Sequence, residues 1–368
     1  MIPQNIESDN YNEQDVHLIF DCEQAMLRKK YAQPAIDDEW EKFRQGLASP
    51  ATEAPVAPPH DKKKIHKILF FTLGSLSGVA ATLLLVFLFQ WQRTANDQPL
   101  MIFTAESSAQ QITLGTDSHP QGMAISEIKK EDAEGVIVKP HEADFRPTTV
   151  IPNEIQTQVI RTPRGKEYQV ILNDGTEVLL NAESKLIFPN KFSGSRRVVK
   201  LEGEAYFKVA RNEQMPFIVE TEKTSTRALG TEFNIKAYKN AESHVTLING
   251  SVLVNIPGTD QEVTLTPGQE ATAAEETLKV KDVDTNYYVQ WKEGYFYFDT
   301  VPLVEILCDL GRWYNVNIEI EKASLMSYRL HFIADRKAGI DEIIENLNSF
   351  NYLSAIKNGN KITIGLKK

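Results

Sequence analysis

Apolar and polar positions change rhythm several times along this chain. In the first sixty residues the apolar side chains recur at helical spacing. Val16, Ile19, Phe20, Met26 and Leu27 mark one short helix near Glu13 to Lys30. A second begins after Pro34, with Asp37, Asp38 and Glu39 in its first turn, where the helix dipole favours acids. Ile36, Trp40, Phe43 and Leu47 share one stripe of it. "SPATEAPVAPPHD" then reads as an extended, semi-rigid spacer.

The second rhythm is no rhythm at all. From Ile68 to Phe89 no residue carries a charge, and a helix of about 22 residues is roughly 33 Å long. That length suits a bilayer core, where only a helix satisfies its own backbone hydrogen bonds. A cleaved signal peptide would be shorter and closer to Met1. Lys62, Lys63, Lys64 and Lys67 precede the run, and Arg93 alone lies close behind it. The positive-inside bias therefore keeps residues 1–61 in the cytoplasm and exports the chain beyond Trp91, itself an interfacial anchor. Gly74 and Gly78, extended by Thr82, form a small-residue face that permits close helix pairing or intramembrane cleavage, although glycine is common in membrane helices anyway.

Beyond about Gln110 the period becomes two. "QQITL", "GMAISEI" and "GVIVKP" are short strands, and "EYQVILNDGTEVLLN" is a hairpin around Asp174-Gly175. "RRVVKLEGEAYFKVA", "FIVET", "ALGTEFNIKAY" and "HVTLINGSVLVNI" continue the series, the last with an Asn249-Gly250 turn. "QEVTLTPGQEATA" adds a Pro267-Gly268 turn. This predicts an all-β domain of many short strands, with sandwich, barrel and solenoid-like stacking all open.

From about Tyr288 strands and helices mix. "YFYFD" is a strand, and Asp299 or Thr300 is placed to cap a helix presenting Leu303, Ile306, Leu307, Leu310 and Trp313. "NVNIEI" puts Val316, Ile318 and Ile320 on one face; "YRLHF" turns Tyr328, Leu330 and Phe332 inward. A second helix carries Ile340, Ile343, Ile344 and Leu347, and a hairpin turns around Asn358-Gly359. Helices packed on a small sheet bury both sets of faces. The expected organisation is a cytoplasmic tail (1–61), a membrane helix with flanks (62–93), a lead-in segment with short strands (94–160), an all-β domain (161–287) and an α+β module (288–368).

Composition narrows the function. The 368 residues are 42% hydrophobic and 24% charged, ordinary values for folded units. A net charge of -10 argues against direct nucleic-acid binding. Cys22 and Cys308 fall on opposite sides of the expected membrane, so no disulfide joins them. The scattered histidines form no H-E-x-x-H pair, and no nucleophile elbow or phosphate-cradling loop occurs. No cofactor or metal is expected. The short tail cannot bury a sufficient core alone, so its Trp40/Phe43 stripe is expected to dock on a cytoplasmic protein; a disordered tail is the alternative.

With those residues in view the chain resembles the FecR-type transmembrane anti-sigma factors. "TPRGKEYQVILNDGTEVLLNAESKLIFP" resembles the family's opening hairpin, and "VKLEGEAYFKVARNEQMPFIVET", "LGTEFNIKAY", "TLINGSVLVN" and "LTPGQEA" its later strands in order. "QWKEGYFYFDTVPLVEILCDLGRWYNVNI" resembles the opening of its C-terminal module, which is similar to the short N-terminal domain of secretins and TonB-dependent transporters. The resemblance implies an inner-membrane relay. Outside, it would receive the signalling domain of a TonB-dependent outer-membrane transporter; inside, it would hold an extracytoplasmic-function sigma factor and release or activate it upon the signal, after regulated proteolysis. "DDEWEKFR" resembles the family's inner helix, which implies that Trp40 and Phe43 face the sigma factor; Ile36 and Leu47 lie on the same stripe and complete the expected interface. Two other classes stay open: a membrane-anchored periplasmic scaffold without a sigma partner, and an envelope enzyme with paired carboxylates in a groove.

Overall fold

The computed structural model describes residues 99–106, 111–116, 119–128, 136–146, 154–274 and 276–367. The inner tail, the expected membrane helix, and with them Ile36, Trp40, Phe43, Leu47, Gly74, Gly78 and Thr82, lie outside these residues. Among the described residues no helix is long and apolar enough to cross a membrane.

Strands dominate. The strand Arg197–Lys208 is long enough to belong to two sheets. Its first half pairs in parallel with Phe217–Glu220 and antiparallel with Ser184–Pro189. Its second half pairs with Glu177–Leu180 on one side and Glu232–Ala237 on the other. From there the chain lays hairpins alternately on the two sheets. Phe217–Glu220 with Ser225–Ala228 goes to the first, and Glu232–Ala237 with Ser243–Asn249 to the second. Val252–Asn255 with Glu262–Leu265 returns to the first, and Gln269–Ala274 with Thr277–Asp282 to the second. The two sheets wrap one core as a flattened barrel. Phe207, Phe217, Phe233 and Leu247 meet there, fully buried, with the Phe207 and Phe233 rings stacked at 5.1 Å.

The turns explain the order. At Asp174-Gly175 the chain does form a hairpin: Leu172 N donates to Thr176 O at 2.8 Å, and Gly175 takes a φ of 85°, which glycine adopts without a Cβ clash. Asn249-Gly250 and Pro267-Gly268 are turns but not hairpins. Ser243–Asn249 pairs with Gln269–Ala274, and Val252–Asn255 with Ser225–Ala228. Both turns are corners at which the chain crosses between sheets.

The lead-in segment does not stand apart. Thr113–Thr116 pairs with His119–Ala124 and with Thr157–Thr162 in the first sheet. In "GMAISEI" the strand ends at Ala124 and a 3-10 turn, Ile125–Glu127, carries Ile125 into the core.

The C-terminal module has a four-stranded sheet in the order Leu100–Phe103, Asn317–Ile320, Lys361–Leu366, Leu353–Asn358. A two-stranded sheet joins Tyr295–Pro302 to Arg329–Asp335. Two helices, α1 (Leu303–Tyr314) and α2 (Ile340–Ser349), cover them. Leu303, Ile306, Leu307 and Leu310 of α1 and Ile343 and Leu347 of α2 meet Ile318, Ile320, Ile362 and Ile364 in a second core. Two expectations fail here. Neither Asp299 nor Thr300 caps α1: the strand runs on to Pro302, which occupies the cap position without a side-chain bond. Tyr328 does not point inward but is exposed, because a 3-10 turn, Ala323–Ser327, ends just before it and the strand begins at Arg329.

Candidate functional site

Alternation along a strand sends every second side chain outward. In the second sheet of the β domain, that outer face is polar yet buried. The ladder pairs Tyr206 with Asn234, Asn234 with Thr246, and Thr246 with Glu270; a parallel row runs Glu204, Lys236, His244, Thr272. Glu204, Asn234, Thr246 and Glu270 are all buried. What covers them is the C-terminal module.

Buried polar groups must find partners. The Glu204 carboxylate accepts from Asn181 Nδ2 at 2.8 Å and from Asn234 Nδ2 at 3.0 Å. Trp291, from the short helical stretch between the two parts, donates its indole N–H to Asn234 Oδ1 at 3.4 Å. Lys236 Nζ meets Asp309 of α1 at 2.6 Å. Burial alone would lower the Lys236 ammonium, but the Asp309 and Glu204 carboxylates outweigh it and raise the group above its ordinary value. Glu270 also faces burial, yet His244 Nδ1 at 3.3 Å and Lys281 Nζ at 2.8 Å hold its carboxyl down at about 2.

Three arginines staple the parts together. Arg312 of α1 reaches Glu183 Oε2 at 2.9 Å and Asp309 Oδ1 at 2.8 Å, and its guanidinium lies 3.5 Å over the Tyr238 ring. Arg336 comes directly after the strand Arg329–Asp335 and is 5% exposed. It donates to Asn181 Oδ1 at 2.5 Å and to the Trp291 carbonyl at 3.1 Å, and stacks 3.7 Å from Trp313. Burial lowers its affinity for its proton, and its Nε has no partner. Arg164, in the turn after Thr157–Thr162, holds Glu183 Oε1 of its own domain at 2.6 Å and donates across the joint to Asn315 Oδ1, at the end of α1, at 3.2 Å. The next residue, Gly165, comes so close to α1 that a Cβ there would lie 2.7 Å from the Trp313 carbonyl; its φ is 71°.

Between the polar face and the Tyr295–Pro302 strand lies a cleft of ≈ 370 Å³. Lys236, His244, Glu270, Asp299, Arg312 and Arg329 line it. Several of its charges have ion partners, Asp299 in His331 at 3.1 Å and Glu270 and Lys236 as above, and Arg329 donates to the Thr300 carbonyl at 2.7 Å. Burial pushes the Cys308 thiol up, away from the reactive thiolate, and the Tyr238 and Tyr288 phenols up as well. Among the described residues no group of three or more His, Cys, Asp or Glu could hold a metal ion. The arrangement is a joint: it can hold two bodies together and let them part, and it presents no activated nucleophile.

Sequence reasoning missed this joint. Glu204, Asn234 and Glu270 alternate with apolar neighbours and read individually as solvated positions. The available signal was their register across neighbouring strands, which period-two reading does not supply.

Comparison with known proteins places both parts. The family profile for FecR protein matches residues 158–253, and that for the FecR C-terminal region matches 295–364. Two crystal structures of a candidate anti-sigma factor from Parabacteroides distasonis ATCC 8503, at 1.65 and 2.50 Å resolution, are similar to the chain. Each is 28% identical with a TM-score of 0.53; the first covers 57% of this chain and 99% of its own, the second 58% and 100%. Among curated proteins none matches.

Proposed function

The chain belongs to the FecR family, and from that premise we propose that it is a transmembrane anti-sigma factor working by protein–protein binding. Residues 1–61 hold an extracytoplasmic-function sigma factor in the cytoplasm through Ile36, Trp40, Phe43 and Leu47. Ile68 to Phe89 cross the inner membrane, with Gly74, Gly78 and Thr82 as a packing face open to an intramembrane protease. The part after Trp91 lies in the periplasm and receives the signalling domain of a TonB-dependent outer-membrane transporter. The carrying observation is the pair of family matches, at 158–253 and 295–364, together with the likeness to a candidate anti-sigma factor whose own chain is covered end to end. The ion pairs Lys236–Asp309 and Arg312–Glu183, which tie the C-terminal module to the β domain, support a binding role.

The test is co-purification of the full-length protein from its own cells, with tags at both ends reporting their compartments. A sigma factor is expected with the wild type and at least tenfold less with the double variant Trp40→Ala/Phe43→Ala. Equal capture by that variant rejects the proposed grip. Recovery of envelope partners without any sigma factor would leave a periplasmic scaffold instead.

A further inference from the structure

One strand of the C-terminal module comes from the far end of the described chain. Leu100–Phe103 adds antiparallel to Asn317–Ile320, with Leu100 opposite Ile320, Met101 opposite Glu319 and Phe103 opposite Ile318. The register slips between Met101 and Phe103, and Leu100 and Met101 are each 45% exposed. What seats the strand is its second half, Ile102 and Phe103, which pack on the module's core. The Phe103 ring lies on Gly311 of α1, where a Cβ would stand 2.5 Å from the ring. Arg164 of the β domain covers the ring at 4.5 Å and donates to the Thr104 carbonyl at 2.7 Å.

Two asparagines finish the attachment. Asn315, the left-handed residue that ends α1, accepts from Glu106 N and donates to Glu106 O, both at 2.9 Å. Asn317 Oδ1 accepts from Ala105 N at 2.8 Å. These side chains imitate a neighbouring strand and satisfy backbone groups that water would satisfy equally well. The remaining strands of the sheet keep their own pairing, and their residues Ile318, Ile320, Ile362 and Ile364 are buried by the helices. Edge position, a slipped register, two exposed side chains and solvent-replaceable bonds all make this strand the cheapest part of the module to remove.

We propose that residues 100–106 are a detachable strap, which opens as a unit while both modules stay folded, and that its release frees the C-terminal module from the start of the periplasmic chain. The functional half of this rests on the membrane reading above. Leu100 lies nine positions beyond Trp91, so a seated strap keeps the module within about 30 Å of the interfacial residue. Once the strap opens, the next described strand begins at Thr113, and the free tether reaches about 75 Å. A pull or a competing strand at the module would then be felt at the membrane as slack or tension.

Hydrogen exchange on the full-length protein in detergent decides it. Amides of residues 100–106 are expected to be protected, yet to exchange at least tenfold faster than those of Lys361–Leu366 in the same sheet. Arg164→Ala should speed 100–106 a further tenfold and leave Lys361–Leu366 unchanged. Cross-linking Met101→Cys to Glu319→Cys, in a chain with Cys22→Ser and Cys308→Ala, should slow 100–106 to the rate of Lys361–Leu366. A common rate for both segments in the wild type, no protection at 100–106, or equal acceleration of both by Arg164→Ala would overturn the strap. None of these readings depends on which compartment holds the module, so end tags judge the membrane reading separately.

Discussion

The interior of the β domain and the joint that covers its outer face are both buried, and they are built of opposite materials. Inside, Phe207, Phe217, Phe233 and Leu247 pack against one another, ring on ring, with the Arg197 guanidinium 5.4 Å from the Phe217 ring at the edge of the cluster. The buried cation at the rim, Arg197, is tied to Asp174 Oδ2 at 2.5 Å and to the Met215 and Ala210 carbonyls at 2.7 and 2.8 Å, and closes loops of the same domain. Outside, the contact is arginine, carboxylate and amide, with rings serving as platforms. Apolar surface that leaves its partner meets water at full cost, whereas a paired charge that leaves its partner is rehydrated. The interior should fail only by unfolding. The joint should be able to part with each side intact.

The largest effect expected from that contrast is in the interior. Phe207→Ala removes a fully buried ring that stacks on Phe233 and meets Phe217, and should cost about 3–5 kcal/mol. Denaturant unfolding of the whole chain would read it as one lowered midpoint. A loss under about 1 kcal/mol would mean that the two sheets do not share a dry core.

Next in size is a pH effect on the polar outer face of the β domain, where Glu270 meets His244 and Lys281 of neighbouring strands. The Glu270 carboxyl is held at about 2, against an ordinary 4.5, by His244 and Lys281, which overcome its burial. Its folded pKa is depressed, so the stabilisation is complete above about pH 4.5 and is lost as pH falls towards 2. The shift corresponds to about 3 kcal/mol. Glu270→Gln should flatten the acid limb of the stability profile in that window. An acid limb unchanged by the substitution would break the assignment.

Arg336→Met should cost less, about 1–3 kcal/mol, because it removes the cation 3.5 Å from the Glu167 carboxylate and the donor to Asn181 Oδ1, which keeps Ala182 N at 2.8 Å, while retaining most of the contact with Trp313. Its readout differs in kind. Calorimetry should show one transition in the wild type and two in the variant, as each module melts on its own. A single, uniformly lowered transition would place Arg336 with the interior residues instead.

How far the chain announces this architecture differs between the same two regions. The interior was legible: Val178, Leu180, Phe207 and Phe233 alternate as period two demands, and the stripe Leu303, Ile306, Leu307, Leu310 of α1 is buried as its spacing predicts. So was the Asp174-Gly175 hairpin, because its glycine conformation is a local property. Corners such as Asn249-Gly250 look the same as hairpins locally, and only the distant partners of the flanking strands tell them apart. The joint was not legible for the same reason. Asn181, Glu204, Glu270 and Arg336 lie far apart in the chain, and nothing in their own neighbourhoods says that they are covered. The strand Leu100–Phe103 is the extreme case, since its partner at Asn317–Ile320 lies more than two hundred residues away.

The smallest effect separates backbone strain from contact at the joint. Gly165 and Gly175 have similar left-handed conformations, with φ of 71° and 85°. An alanine at either position costs about 1–2 kcal/mol for placing an L side chain there. They differ in what the new methyl group would meet. At Gly175 nothing lies within 4 Å, whereas at Gly165 the Trp313 carbonyl is 2.7 Å away. Gly175→Ala should therefore lower the single unfolding transition slightly and leave the joint untouched. Gly165→Ala should lower it by a like amount and also drive the turn away from α1, loosening Arg164 from Asn315. Hydrogen exchange at residues 303–315 is the measurement: faster in Gly165→Ala and unchanged in Gly175→Ala. Equal rates in the two variants would mean that the close approach carries no force, because a Cβ 2.7 Å from the Trp313 carbonyl must displace one side of a joint whose ion pairs depend on geometry.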